Sequence, residues 1–360
     1  MNERREQNAY RQLRLPGNKT DFCSNDYLGL AKQLATVPIG SQVSDGQWAR
    51  LKHGSAGSRL LAGNYALMEE AEKSIAAFHE AEAGLIFNSG YDANVGVLSC
   101  VPQRGDTIIY DYLSHASIRD GIRLSFAQSF SFLHNDIADL ERKLQRATGN
   151  IFVVTESVFS MDGDMAPLQQ IVELCNQYNA NLIVDEAHAT GVVGDKGEGL
   201  VQQLRWQTNC FARIHTFGKA IGCHGAIVLG SEALKNYLIN FSRPFIYSTA
   251  LPETSVAAIQ AAYAAFPYLT AERKHLQQLI TTFQQAVIPF QKLPSHTPIQ
   301  VVLVPGNDAV KLVADKLQAA HLDVRAILYP TVPKGSERLR IVLHAFNTAG
   351  EVEQLVKTLG

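Results

Sequence analysis

The sequence is short of cysteine, of net charge and of long apolar runs, and each shortage excludes a class of protein. Its five cysteines, Cys23, Cys100, Cys175, Cys210 and Cys223, are odd in number and include no C-x-x-C pair. That argues against a zinc site or a disulfide framework and leaves free thiols in a reducing compartment. Lys and Arg total 32 against 34 Asp and Glu, a formal charge of −2, which gives no polyelectrolyte for a dedicated nucleic-acid binder. No apolar run approaches the ~20 residues that a membrane span needs. The opening MNERREQNAYRQLRL is charged and lacks an apolar core, so no signal peptide is expected and the location expected is cytoplasmic. Repeats and low-complexity tracts are absent too.

What remains is an ordinary globular composition, 46% apolar over 360 residues, enough for about two domains. Through the middle of the chain, short apolar runs alternate with amphipathic stretches. GLIF (84–87), TIIYD (107–111), IFVVTES (151–157), NLIVDEA (181–187), ARIHTF (212–217) and GAIVLGS (225–231) read as strands. Helical patterns at 67–82, 136–147 and 167–179 separate several of them. This alternation predicts βαβ units around a largely parallel sheet, with ligands at the carboxyl ends of its strands. After about residue 241 two long helical patterns lead into a smaller α+β region. The expected division is an irregular N-terminal segment 1–40, a large domain 41–240 and a small domain 241–360.

Asp185-Glu186-Ala187-His188 is the spelling of a helicase box, but that chemistry needs the phosphate loop G-x-x-x-x-G-K-[ST]. Gly218-Lys219 is followed by Ala220, and Arg213 stands where the first glycine should be. A nucleic-acid motor therefore fails on its partner motif. Taken alone, His188 reads as a capping or core histidine and Lys219 as a surface lysine. HTFGKA, however, sets Lys219 after a strand, next to a glycine and among small residues. Partial desolvation there lowers a lysine's pKa and suits it to Schiff-base chemistry. Pyridoxal phosphate (PLP) enzymes need such a lysine together with a carboxylate for the pyridinium nitrogen. Asp185 at a strand end supplies the carboxylate, and His188 one turn on reaches the ring's phenolic oxygen. Ser89-Gly90-Tyr91 opens a helical pattern after another strand, a phosphate site by its backbone donors. His115 and Ser160 lie beyond two further strand ends. No metal site is read.

Together SNDYLGL, DYLSHAS, ESVFSMDGDMAPL, VDEAHATGV and TFGKA resemble the α-oxoamine synthase family of fold-type I PLP enzymes, over nearly the whole chain. The resemblance implies an α/β fold with a mostly parallel seven-stranded sheet flanked by helices, and a smaller α+β C-terminal domain. Within the family the member of biotin biosynthesis is the most similar. The activity implied is a decarboxylative condensation of L-alanine with an acyl-CoA, pimeloyl-CoA, releasing CoA and carbon dioxide. Two alternatives stay open: a family member using glycine or serine with another acyl-CoA, and a non-catalytic partner subunit of the same fold. By resemblance, Lys219 would bind the cofactor aldehyde and move the Cα proton, and Asp185 would pair with the ring nitrogen. His188 and Ser160 would bond the phenolic oxygen and His115 would stack on the ring. Ser89, Gly90, Tyr91 and Thr216 would hold the phosphate, and Thr249 would reach the phosphate of a neighbouring subunit in a homodimer. Arg340 would bind the substrate carboxylate, and Asn25 would line the same pocket. Arg338 competes for that role, the two arginines being expected on opposite strand faces so that only one points in. The sequence departs from the pattern at a short N-terminal arm, at Ala56 where glycine is expected, at His224 and at Tyr329.

Overall fold

The structure is a computed structural model that describes residues 2–10, 12, 13, 15, 17–33 and 51–360. Its strands are β1 (Thr20–Asp21), β2 (Ala83–Phe87), β3 (Thr107–Asp111), β4 (Gln128–Phe132), β5 (Ile151–Glu156), β6 (Asn181–Asp185), β7 (Cys210–Thr216), β8 (Ala226–Gly230), β9 (Ile299–Leu303), β10 (Leu322–Asp323), β11 (Arg325–Ile327) and β12 (Arg338–Val342). The chain forms two compact units. The larger comprises the described residues of Leu30–Phe159 and Met165–Leu269, the smaller those of Met1–Gly29, Ser160–Asp164 and Thr270–Gly360.

In the larger unit seven strands make one sheet in the order β2-β8-β7-β6-β5-β3-β4. Only β8 runs against its neighbours; the other pairings in the sheet are parallel. This is the mostly parallel seven-stranded sheet that was expected. Six of its strands are runs of the pattern above. The seventh, β4, is an edge strand with the sequence Gln-Ser-Phe-Ser-Phe, and its first three residues are exposed.

Successive side chains of a strand point to opposite faces, and the sheet uses this to feed two cores. Ile108, Phe152, Val154, Ile183, Ala212 and Ile214 face one side, where helix Gly90–Cys100 contributes Ala93, Val97 and Leu98. Ile109, Val153, Leu182 and Val184 face the other, packed by helices Ile137–Leu144 and Leu168–Gln177. A strand buried on both faces reads as a continuous apolar run, which is why these segments stood out.

The smaller unit holds a three-stranded antiparallel sheet, β11-β12-β9, and the two-stranded pair β1-β10. Helices Thr270–Gln285, Asn307–Ala319 and Ala349–Leu359 belong to it. The last begins with a capping box, in which Thr348 Oγ1 accepts from Glu351 N and Glu351 Oε2 accepts from Thr348 N.

Ala56 has a φ of +56°, in the left-handed region that costs an L-residue about 1–2 kcal/mol. The expectation of glycine at this position thus has a conformational cause. The neighbouring Gly57 carbonyl accepts from Ala250 N at 3.0 Å, and Ser55 Oγ donates to the Ala250 carbonyl at 2.8 Å, so the strained residue is held on both sides. Ala56→Gly should stabilise the fold by about 0.5–1 kcal/mol once the looser unfolded chain is counted. Urea denaturation of the two proteins tests this, and a destabilised variant would contradict it.

Candidate active site

Strands β2, β3, β5, β6 and β7 run the same way, so their carboxyl ends share one edge of the sheet, where open α/β folds bind ligands. Asp185 is the last residue of β6, on the same face as Ile183. Helix Gly90–Cys100 covers that face, and its buried Asn94 meets the carboxylate. Asn94 Nδ2 donates to Asp185 Oδ2 at 2.7 Å and to Ser117 Oγ at 3.0 Å, while Asp185 Oδ1 accepts from Ala187 N at 2.9 Å. A hydrogen bond to a charged group contributes about 1.5–3 kcal/mol, so Asn94 fixes the orientation of Asp185.

Glu156 ends β5 in register with Asp185, and its Oε1 accepts from His115 N at 2.6 Å. Burial, and then the charge of Asp185, push its pKa up to about 8, against the pull of Lys219. His115 caps helix Ala116–Leu124. Its Nδ1 accepts from Ser117 N at 3.2 Å and lies 2.7 Å from Ser117 Oγ, while the residue itself is exposed. Lys219, half-buried, sits in the turn after β7, closed by Gly222 N to the Lys219 carbonyl at 2.9 Å and Cys223 N to the Phe217 carbonyl at 2.8 Å. His188 is buried in the turn after β6.

Ser89 is the N-cap of helix Gly90–Cys100, its Oγ accepting from Asp92 N at 3.0 Å. The positive end of that helix opens at Gly90. A Cβ at Gly90 would stand 3.5 Å from the Cβ and Oγ1 of Thr216, so the missing side chain leaves room beside that hydroxyl. Thr216 Oγ1 in turn accepts from Gly218 N at 3.4 Å. Tyr91 is exposed and donates to Asp120 Oδ2. Thr249 is exposed as well; its carbonyl accepts from Asn88 Nδ2 at 2.8 Å.

The remaining residues singled out, Asn25, Ser160 and Arg340, lie together in the smaller unit. Arg340 Nε donates to the Ser160 carbonyl at 2.7 Å and Nη2 to Asn25 Oδ1 at 3.1 Å. The expectation that Arg338 and Arg340 face opposite ways is wrong. They are two residues apart on β12, and a period of two puts them on one face. Both reach the Ser160–Asp164 segment, Arg338 by an ion pair with Asp162 and a hydrogen bond to the Ser336 carbonyl.

Asn94, Ser117 and Glu156 escaped the sequence reading. Glu156 carried a signal, a carboxylate closing an apolar strand as Asp185 does. Asn94 carried a weaker one, an amide in the otherwise apolar ANVGVL. Among the described residues no group of three or more His, Cys, Asp or Glu side chains could hold a metal ion. The donor set is a lysine, a carboxylate oriented by an amide, and a helix N-terminus beside a hydroxyl. It fits an aldehyde-bearing aromatic phosphate.

Residues 17–359 match the family model described as aminotransferase class I and II. The chain is 42% identical to an 8-amino-7-oxononanoate synthase of Emericella nidulans, over 96% of this chain and 89% of that one. The crystal structure of 8-amino-7-oxononanoate synthase from Francisella tularensis has a TM-score of 0.77 at 29% identity, covering 95% of this chain and 96% of that one. A structure of SPT solved with PLP has a TM-score of 0.86 at 25% identity, covering 95% and 86%.

The raised pKa of Glu156 has a consequence for stability. Its folded-state value of about 8 lies above the ordinary 4.5, so between those values the folded protein binds the extra proton. The contribution of this group is therefore fully present below pH 4.5 and lost as pH rises through 8. Glu156→Gln, which keeps an acceptor for His115 N, should gain stability relative to the parent by more than about 1 kcal/mol on going from pH 5.5 to 8.5. Paired urea denaturations at the two pH values measure the gain; a pH-independent difference would place the ionised carboxylate in the fold at both.

Proposed function

This chain belongs to the aminotransferase class I and II family and, within it, to the α-oxoamine synthases; from that premise we propose that it makes 8-amino-7-oxononanoate from L-alanine and pimeloyl-CoA. It is a PLP-dependent acyltransferase. In the overall reaction a bond forms between the alanine Cα and the acyl carbon, the thioester C–S bond breaks to release CoA, and the alanine carboxylate leaves as carbon dioxide. The observation that carries this reading is the convergence of Lys219, Asp185 with its Asn94 bond, and the Gly90 helix terminus with Thr216 at one sheet edge.

PLP, when bound, supplies an electron sink that makes the proton on an amino acid's Cα removable. Lys219 would hold the cofactor by its aldehyde and then take and return the Cα proton. Asp185, oriented by Asn94, would keep a proton on the ring nitrogen; an ion pair at ~4 Å is worth about 4 kcal/mol at an effective dielectric of 20. The exposed ring of His115 would stack on the cofactor, and His188 and Ser160 would donate to its phenolic oxygen. Ser89, Gly90, Tyr91 and Thr216 would hold the phosphate by backbone N–H groups and the Thr216 hydroxyl. Arg340, with Asn25, would grip the substrate carboxylate through its planar fork.

We place the enzyme in the cytoplasm as a homodimer. Five free cysteines support a reducing location, and no helix among the described residues is long and apolar enough to cross a membrane. Leu60, Leu61 and Tyr247 are 50%, 85% and 72% exposed on two segments that pair at Ser58 and Thr249. Such an apolar patch is suited to a second copy of the chain, which would bring Thr249 to the partner's phosphate. Leu61→Asp combined with Tyr247→Asp should turn the dimer into monomer in sedimentation velocity and weaken PLP binding with it. A parent protein that sediments as a monomer would refute this assembly.

The substrate assignment is tested by release of the CoA thiol from a panel of acyl-CoAs with alanine, glycine or serine. Alanine with pimeloyl-CoA should react fastest, and Lys219→Ala should abolish turnover. Faster release with glycine or serine would move the enzyme to another branch of the family. In the same assay Arg340→Lys should raise the KM for alanine by about tenfold or more. Arg338→Lys, which weakens the pair with Asp162, should instead cost stability and leave KM within a few-fold.

A further inference from the structure

β7 has a second face, opposite Ala212 and Ile214, and on it stand Arg213 and His215, 2% and 0% exposed. Facing them is His79, the residue that ends helix Ala66–Phe78; its ring centroid lies 4.0 Å from that of His215. Tyr263 OH is 3.1 Å from His79 Nε2, and Arg213 Nη2 donates to the His79 carbonyl at 2.6 Å. None of these groups enters the chemistry above, yet burying so many polar atoms behind the strand that leads to Lys219 is costly.

One hydrogen bond leaves the cluster toward the active site. His215 Nδ1 lies 2.9 Å from Thr190 Oγ1, and the single Thr190 hydroxyl proton is directed to the Glu186 carbonyl at 2.7 Å. Thr190 must therefore accept, His215 must donate, and the ring carries its proton on Nδ1. Burial, reinforced by Arg213, disfavours both imidazolium forms: His79 is brought down to about 3 and His215 well below the usual range. His215 Nε2 has no partner among the described residues, so the bond to Thr190 is the polar anchor of the ring there.

We propose that His215 is a positioning residue for the cofactor: through Thr190 it ties the turn that follows Asp185 and carries His188 to the strand that ends at Thr216 and leads into Lys219. The proposal rests on the PLP reading above. Packing alone would be served by an apolar side chain of similar size, whereas this arrangement needs a neutral donor at the Nδ1 position. Asparagine offers such a donor from the same distance along the side chain, and leucine does not.

The test is PLP affinity, read by fluorescence titration of the full chain, for His215→Leu, His215→Asn, Thr190→Val and Thr190→Ser, with thermal midpoints of the cofactor-free proteins recorded in parallel. Leucine at 215 and valine at 190 should each weaken PLP about tenfold, the scale of one lost buried hydrogen bond. Their double variant should be no weaker than either single one, because both remove the same bond. Asparagine at 215 and serine at 190 should stay within about threefold of the parent. Lower thermal midpoints with unchanged PLP affinity, or effects that add in the double variant, would overturn the proposal. Should His215→Leu fail to fold, the Thr190 variants decide: valine and serine with equal PLP affinity overturn it. A parent protein that takes up no PLP removes the reading beneath, and the proposal with it.

Discussion

Glu156 and Asp185 end neighbouring parallel strands in register, both buried, and two carboxylates so placed repel each other's ionised forms. The surroundings treat them differently. Asp185 receives the Asn94 amide and a backbone N–H, whereas Glu156 receives the His115 N–H and is raised to about 8. The result is a Glu156 carboxyl that keeps its proton more readily, next to an Asp185 side chain held by two donors. On the proposed reading Asp185 would be the partner of a protonated ring nitrogen, and the Lys219 charge pulls Glu156 back down against its burial. Sheet register thus sets the electrostatics of this edge, and the helix Gly90–Cys100 resolves them by presenting Asn94 one turn after its N-terminus.

The Asp-Glu-Ala-His stretch divides its labour along the same geometry. On the proposed reading Asp185 and His188 would face the cofactor. Glu186 points elsewhere: its carboxylate accepts from Ser157 Oγ at 2.9 Å, Leu200 N at 3.0 Å and Val201 N at 2.7 Å. It holds down the start of helix Leu200–Gln203, and its carbonyl receives Thr190. A buried carboxylate with three donors is a structural fastening. The tetrapeptide resembles a motor box in spelling alone; its middle carboxylate closes a turn.

Much of this was legible because apolar periodicity is a strong signal where a strand is buried on both faces. β2, β3, β5, β6, β7 and β8 all left continuous apolar runs, and the polar residues that interrupt them mark the site edge. β4 was not legible because an edge strand with exposed residues needs no apolar run. Asn94 and Ser117 were not legible for another reason. Their meaning lies in what they touch across the chain, Asn94 on Asp185 and Ser117 on Asn94, and no local pattern encodes contacts 91 and 23 residues away. The Arg338 and Arg340 error was different in kind: the period of two was available, and it places both on one face.

That shared face explains an otherwise odd feature of the chain. Ser160–Asp164 interrupts the larger unit in sequence but belongs to the smaller one. Arg340 holds its first carbonyl, and Arg338 pairs with Asp162. The Gly163 carbonyl accepts from Ser295 Oγ and Thr297 Oγ1, both at 2.8 Å. Gly163 has a φ of +73°, and a Cβ there would collide with the Ile299 carbonyl, so only glycine lets the segment lie this close to β9. Five residues are thereby fastened from three directions, each by a group that a loop carried along by its neighbours would not need. Ser160 and Arg340 are consequently held against each other. On the proposed reading Arg340 would grip the substrate carboxylate, and its spacing from Ser160 would be set within the smaller unit alone. A site that must hold an amino acid at one orientation while its Cα proton is removed depends on that spacing more than on either group alone.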